Sequence, residues 1–127
     1  MEIKNKILEF WGNCEIKSNL SLEELALKVS EILCGGLPFI HGEDSIWEEI
    51  PSMYVDHSIL GMFLIIGGYG GNSGYEVAIK PTTSSYVYEN NLRDKEIRIR
   101  LDFYLYHLLK EGLKNYSEIK VIKPNEW

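Results

Sequence analysis

Between Val29 and Ile79 the chain contains no lysine and no arginine. The same stretch carries Glu31, Glu43, Asp44, Glu48, Glu49, Asp56 and Glu76. The flanking residues, 1–28 and 80–127, hold the other twelve acids and all thirteen bases, so the formal net charge of −6 originates in this central block. Concentrated charge of one sign steers association toward partners of the opposite sign, and it disfavours nucleic acid or an anionic membrane as a ligand. Cysteine is scarce as well: Cys14 and Cys34 are the only two, and no Cys-x-x-Cys occurs. That spacing excludes the common zinc and dithiol motifs and predicts two reduced, partly buried thiols. No apolar run approaches the length of a membrane span, the longest being Ile59–Ile66 with a glycine inside it. Met1–Phe10 mixes charged and apolar residues and lacks the apolar core of a signal peptide. These absences together predict a cytoplasmic protein.

What is present fits one domain over residues 1–127, with 45% hydrophobic and 25% charged residues. Ile3, Ile7, Leu8 and Trp11 recur at helical spacing and predict a short amphipathic helix over 2–12. Ser21-Leu-Glu-Glu24 has the capping-box form and opens a second helix, whose face is Leu22, Leu25, Ala26, Val29, Ile32 and Leu33. Gly35-Gly36 and Pro38 end it.

Strand chemistry follows in Ile46–Tyr54, Ser58–Ile66 and Tyr75–Ile79. Pro51 moves the first of these to an edge or a bulge, since proline cannot donate to a ladder. The continuously apolar second run suits the centre of the sheet. Gly67–Gly74 reads as a hairpin loop, and Tyr86–Tyr88 could add a short strand. From Arg93 onward Ile97–Leu101 alternates like a strand, yet Ile97, Leu101, Tyr104, Leu105, Leu108 and Leu109 also fit a long helix, and length favours the helix. Gly112 suits its C′ position, and Ile119–Ile122 reads as a last strand. The expected fold is α+β: two N-terminal helices, an antiparallel sheet of four to five strands, and a long C-terminal helix packed on one face.

No catalytic pattern withstands its geometric requirements. The glycine-rich stretch precedes a strand, whereas a phosphate loop must open a helix. Asp56-His57-Ser58 holds the residue types of a hydrolase triad, but neighbours in sequence cannot place the base between nucleophile and orienter. His41, Glu43, Asp44 and His57 could contribute to a metal site without showing a diagnostic spacing. Cys34 with His41 could form a thiol–base pair across the Gly-Gly-Leu-Pro turn, and His107 stands on the last helix with no paired acid in sequence. Paired carboxylates for glycoside chemistry could be drawn from Glu48, Glu49 and Asp56, but adjacent Glu48 and Glu49 of a strand face opposite sides, which makes the signal weak. The expectation is no catalytic residue, no metal and no cofactor.

The recognition surface is more informative. Trp47, Tyr54 and Tyr69 lie within the base-free block, and interface anchors are enriched in such residues. With Glu43, Asp44, Glu48, Glu49 and Asp56 they form the candidate partner-binding set. A small, acidic, cofactor-free α+β protein with Trp47-Glu48-Glu49 and Tyr54 in an acidic block resembles the immunity proteins of bacterial contact-dependent inhibition and polymorphic toxin systems. That resemblance implies neutralisation of one cognate toxin domain, often a nuclease, by tight binding. The alternatives are an adaptor that binds a protein by a sheet edge and a small metal-assisted hydrolase using His41 and His57. Homodimerisation through an exposed edge strand is also open.

Overall fold

The computed structural model describes residues 7–41, 50–55, 62–81 and 96–125. Among these there are seven strands and two helices, in the order β1 (Ile7–Ser18), α1 (Leu22–Leu33), β2 (Phe39–His41), β3 (Ser52–Val55), β4 (Met62–Gly70), β5 (Gly74–Pro81), β6 (Glu96–Arg100), α2 (Asp102–Gly112) and β7 (Ile119–Val121). One sheet joins all seven, with strand order β2-β3-β4-β5-β1-β6 and β7 also paired to β1. Every pairing is antiparallel except β1 with β6.

This architecture overturns the expected one. Among the described residues there is one N-terminal helix in place of two, the sheet has seven strands instead of four to five, and no long C-terminal helix is present. Residues from Ile7 onward form the longest strand instead of a helix. From Glu9 to Ser18 the chain alternates Phe10, Gly12, Cys14, Ile16 and Ser18 inward with Trp11, Asn13, Glu15 and Lys17 on the other side, a period of two. Gly12 and Asn13 are poor helix formers, and ladders along both edges of β1 outweigh the short helical spacing before them. At the other end, Ile97–Arg100 takes the strand option because β1 offers a parallel partner at Ile7–Trp11. Helix formation waits until Asp102, after Leu101 N donates to Trp11 O.

Self-contained local signals hold at α1, and those at Pro51 and Gly112 do not. Ser21 Oγ accepts from Glu24 N while the Glu24 carboxylate accepts from Ser21 N, the reciprocal capping box. Gly35 and Gly36 follow α1 with positive φ. Pro51 precedes β3 instead of interrupting it, and β3 is an inner strand between β2 and β4. Gly112 does not serve as a left-handed stop. It is the last residue of α2, and a Cβ there would meet Ile32 Cδ1 at 2.7 Å, so its role is close approach of the two helices.

Both helices pack on one face of the sheet, α1 over β2, β3 and β4, and α2 over β1 and β7. Leu25 and Val29 of α1 and Leu105 and Leu109 of α2 meet Ile16, Ile66 and Val77 in one buried core. The opposite side, the outer face, presents the other set of strand residues. Among the described residues no helix is long and apolar enough to cross a membrane.

Candidate functional site

Register alone places the outer-face residues in rows across the strands. One row runs Ser52, Gly67, Glu76, Glu15 from β3 to β1. The next runs Ile40, Tyr54, Ile65, Ala78, Asn13, of which Ile65 is only 5% exposed. On the far side of the Glu15 row, Lys17 of β1 stands opposite Lys120 of β7. A groove of about 1260 Å³ opens over this region, bordered by Asn13, Glu15, Ile50, Tyr69, Glu76 and Lys123.

The glycine-rich segment shapes this groove and is not a loop of eight residues. Strands β4 and β5 continue to Gly70 and from Gly74, leaving a turn of only Gly71, Asn72 and Ser73. The Tyr75 ring occupies the space beside Gly70, where a Cβ would stand 2.5 Å from its hydroxyl, and that hydroxyl donates to Leu20 O. An irregularity in pairing between Gly68 and Gly70 sets Tyr69 off from the ladder and leaves it 65% exposed beside the groove. Bulges re-aim side chains in this manner.

Charge on the outer face is banded. Glu15 and Glu76 are directly opposite, both exposed, and have no ion-pair partner among the described residues. Lys17 and Lys120 are in the same situation one row away. Toward β6 the Arg98 and Arg100 guanidinium carbons lie 5.9 and 4.8 Å from the Trp11 ring centroid. Glu9, 1% exposed, faces Arg98 with Oε1 at 3.7 Å from Nε. Asp102, 2% exposed, accepts from Asn13 N at 3.0 Å and pairs with Arg100. It fills the gap along the edge of β1 away from β5, between Trp11, where β6 ends, and Ile16, where β7 ends.

Of the predicted partner-binding residues, Tyr54 and Tyr69 stand on this outer face, and Glu43, Asp44, Trp47, Glu48, Glu49 and Asp56 lie outside the described residues, as do His57 and Ser58. Glu31 and Glu76 of the same acidic block are on opposite sides of the molecule, one on the solvent side of α1 and one on the outer face. The proposed thiol–base pair is not formed. Cys34 Sγ donates to Ser30 Oγ at 3.8 Å, and His41 Nε2 faces Glu23 Oε1 at 3.3 Å. Burial pushes the Cys34 thiol up, away from a thiolate. His107 is exposed on α2 beside the Tyr106 ring. Among the described residues no three His, Cys, Asp or Glu side chains converge as a metal site. Glu15, Lys17, Asp102 and Lys120 were missed because their importance depends on register, although the alternation from Glu9 to Ser18 was the available signal for the first two.

Cys14 yields a test of this geometry. Burial, and then the negative charges of Asp102 and Glu15, push its thiol from 9.0 up to about 12. Above pH 9 the unfolded chain releases a proton that the folded chain retains, so stability falls as pH rises from about 9 toward about 12. The slope contributed by Cys14 reaches about 1.4 kcal/mol per pH unit. Urea unfolding between pH 8 and 11 should show Cys14→Ala with a lower stability at pH 8 but a flatter alkaline decline. Equal slopes in the two proteins would contradict the assignment.

No family model matches this chain, and neither does any curated protein or any solved structure.

Proposed function

We propose that this chain is a cytoplasmic inhibitor that binds one basic protein, neutralising a cognate toxin domain in the manner of bacterial immunity proteins. The reading is supported by the position of Tyr54 and Tyr69, the two described members of the acidic and aromatic set, on one face of the sheet, with Tyr69 bordering an open groove. In sequence Glu43, Asp44, Glu48 and Glu49 lie between β2 and β3, and Asp56 directly follows β3, the strand that carries Tyr54. In this reading the acids steer the partner and the aromatic residues anchor it.

Co-expression with a toxic domain encoded immediately upstream of the gene tests the reading directly. Cells are expected to survive only when this chain is present, and death regardless of its presence would overturn neutralisation. With that domain as the probe, reversing Glu48 and Glu49 to lysine should slow association about tenfold or more at low salt, and less as salt screens the charges. Association that ignores salt in both proteins would remove the steering role. The adaptor reading is less favoured, since end strands β2 and β6 span only three and five residues and β6 carries Arg98 and Arg100. The hydrolase reading loses support because His41 faces Glu23.

A further inference from the structure

We propose that two copies of this chain associate face to face through the hairpin end of the outer face. Two adjacent rows there pair like with like: Glu15 opposite Glu76, and Lys17 opposite Lys120. Like charges directly opposite weaken a sheet. Exchanging Glu15 and Lys17 would make both rows attractive at unchanged net charge, so folding alone does not account for the arrangement. Conflicts of this kind between local chemistry and fold are characteristic of functional surfaces.

The pattern is complementary to itself. Glu15 and Lys17 project from the same side of β1, about 7 Å apart along the strand. A two-fold axis lying in the interface, parallel to the rows and midway between them, sets Glu15 of each copy against Lys17 of the other. Such an isologous contact satisfies four charges with one operation. Gly67 of the acidic row has no side chain to hold the copies apart, and neither does Gly74, whose Cβ position is 3.6 Å from Lys17 Cγ. Tyr69 and Ile50, exposed by 65% and 42%, border the same groove and supply apolar surface to be covered. This end presents both signs side by side, Glu15 and Glu76 next to Lys17, Lys120 and Lys123, a pattern that a second copy of the chain matches. The inference does not rest on the inhibitor reading, and a partner reaching Tyr69 would compete with the second copy.

Analytical ultracentrifugation of the purified chain provides the test. A dimer is expected at about 10–100 µM in low salt, dissociating as salt rises. Lys17→Glu makes the four facing charges at positions 15 and 17 all acidic and Glu15→Lys makes them all basic, so each variant should dimerise at least about tenfold more weakly, with circular dichroism unchanged. An equimolar mixture of the two variants should dimerise again, because each then supplies the charges the other lacks. A monomeric wild type over that range would overturn the proposal. So would dimerisation indifferent to both reversals, or a mixture that stays monomeric. None of these outcomes involves the toxin experiment, so the two proposals fail separately.

Discussion

Replacing Gly68 with alanine is expected to lower stability by about 3 kcal/mol or more, and the melting temperature by more than about 10 °C. Gly68 has φ of +137°, and a Cβ there would stand 2.5 Å from Gly74 O and 2.9 Å from Tyr75 Cα. Both obstacles are backbone atoms of the paired strand, so β4 and β5 would have to separate. Gly68 N also donates to Pro51 O at 2.9 Å, which ties this point to the start of β3. Gly71 is the internal control. Its φ is +56° with open space around the Cβ position, so Gly71→Ala carries only the left-handed backbone cost of about 1–2 kcal/mol. Thermal unfolding of the two variants should therefore separate them clearly. If both lose the same stability, the glycines serve turn conformation alone and the close pairing of Gly68 with β5 is unimportant.

Removing the Asp102 carboxylate should have a comparable effect. Asp102→Ala leaves Asn13 N without its acceptor and takes the buried partner from Arg100, a loss of about 2–4 kcal/mol. It also withdraws a negative group from the first turn of α2, where Leu101 provides no side-chain cap. Asp102→Asn retains an oxygen for Asn13 N and should lose about half as much. The asparagine variant has a second readout. Because the Asp102 charge helps raise the Cys14 thiol, neutralising it should lower that pKa, so alkylation of Cys14 gains its alkaline rate at lower pH. Unchanged stability in Asp102→Ala would mean that the gap between β6 and β7 is closed by other groups.

Asp102 and Gly68 show why parts of this molecule could not be read in advance. The glycine-rich stretch reads as a reversal in sequence, but its glycines serve the close approach of Gly68 to Gly74 and leave space for the Tyr75 ring, contacts that exist only once β4 and β5 pair. Asp102 falls inside the long helix expected from Arg93 onward, whereas in the structure it opens α2. Its acceptor role toward Asn13 lies 89 residues away in sequence. The candidate surface divides in the same way. Tyr54 and Tyr69 were selected from composition, and register then set them on one face, whereas the same block's Glu31 and Glu76 were sent to opposite sides.

By itself, the sequence determined what depends on neighbours along the chain. Helix α1 and its capping box are satisfied within four residues, α1 terminates at Gly35-Gly36, and the apolar and glycine runs of β4 and β5 make a hairpin. Bases are absent from Val29 to Ile79 whatever the fold. Tertiary structure alone decided the fate of Ile7–Trp11 and Glu96–Arg100, which hold helical and strand signals together. Each becomes a strand because the other is there to pair with it, and no local signal carries that information. The like-charged rows Glu15–Glu76 and Lys17–Lys120 arise for the same reason: register brings distant charges face to face, and a shift of one residue would send each side chain to the opposite face.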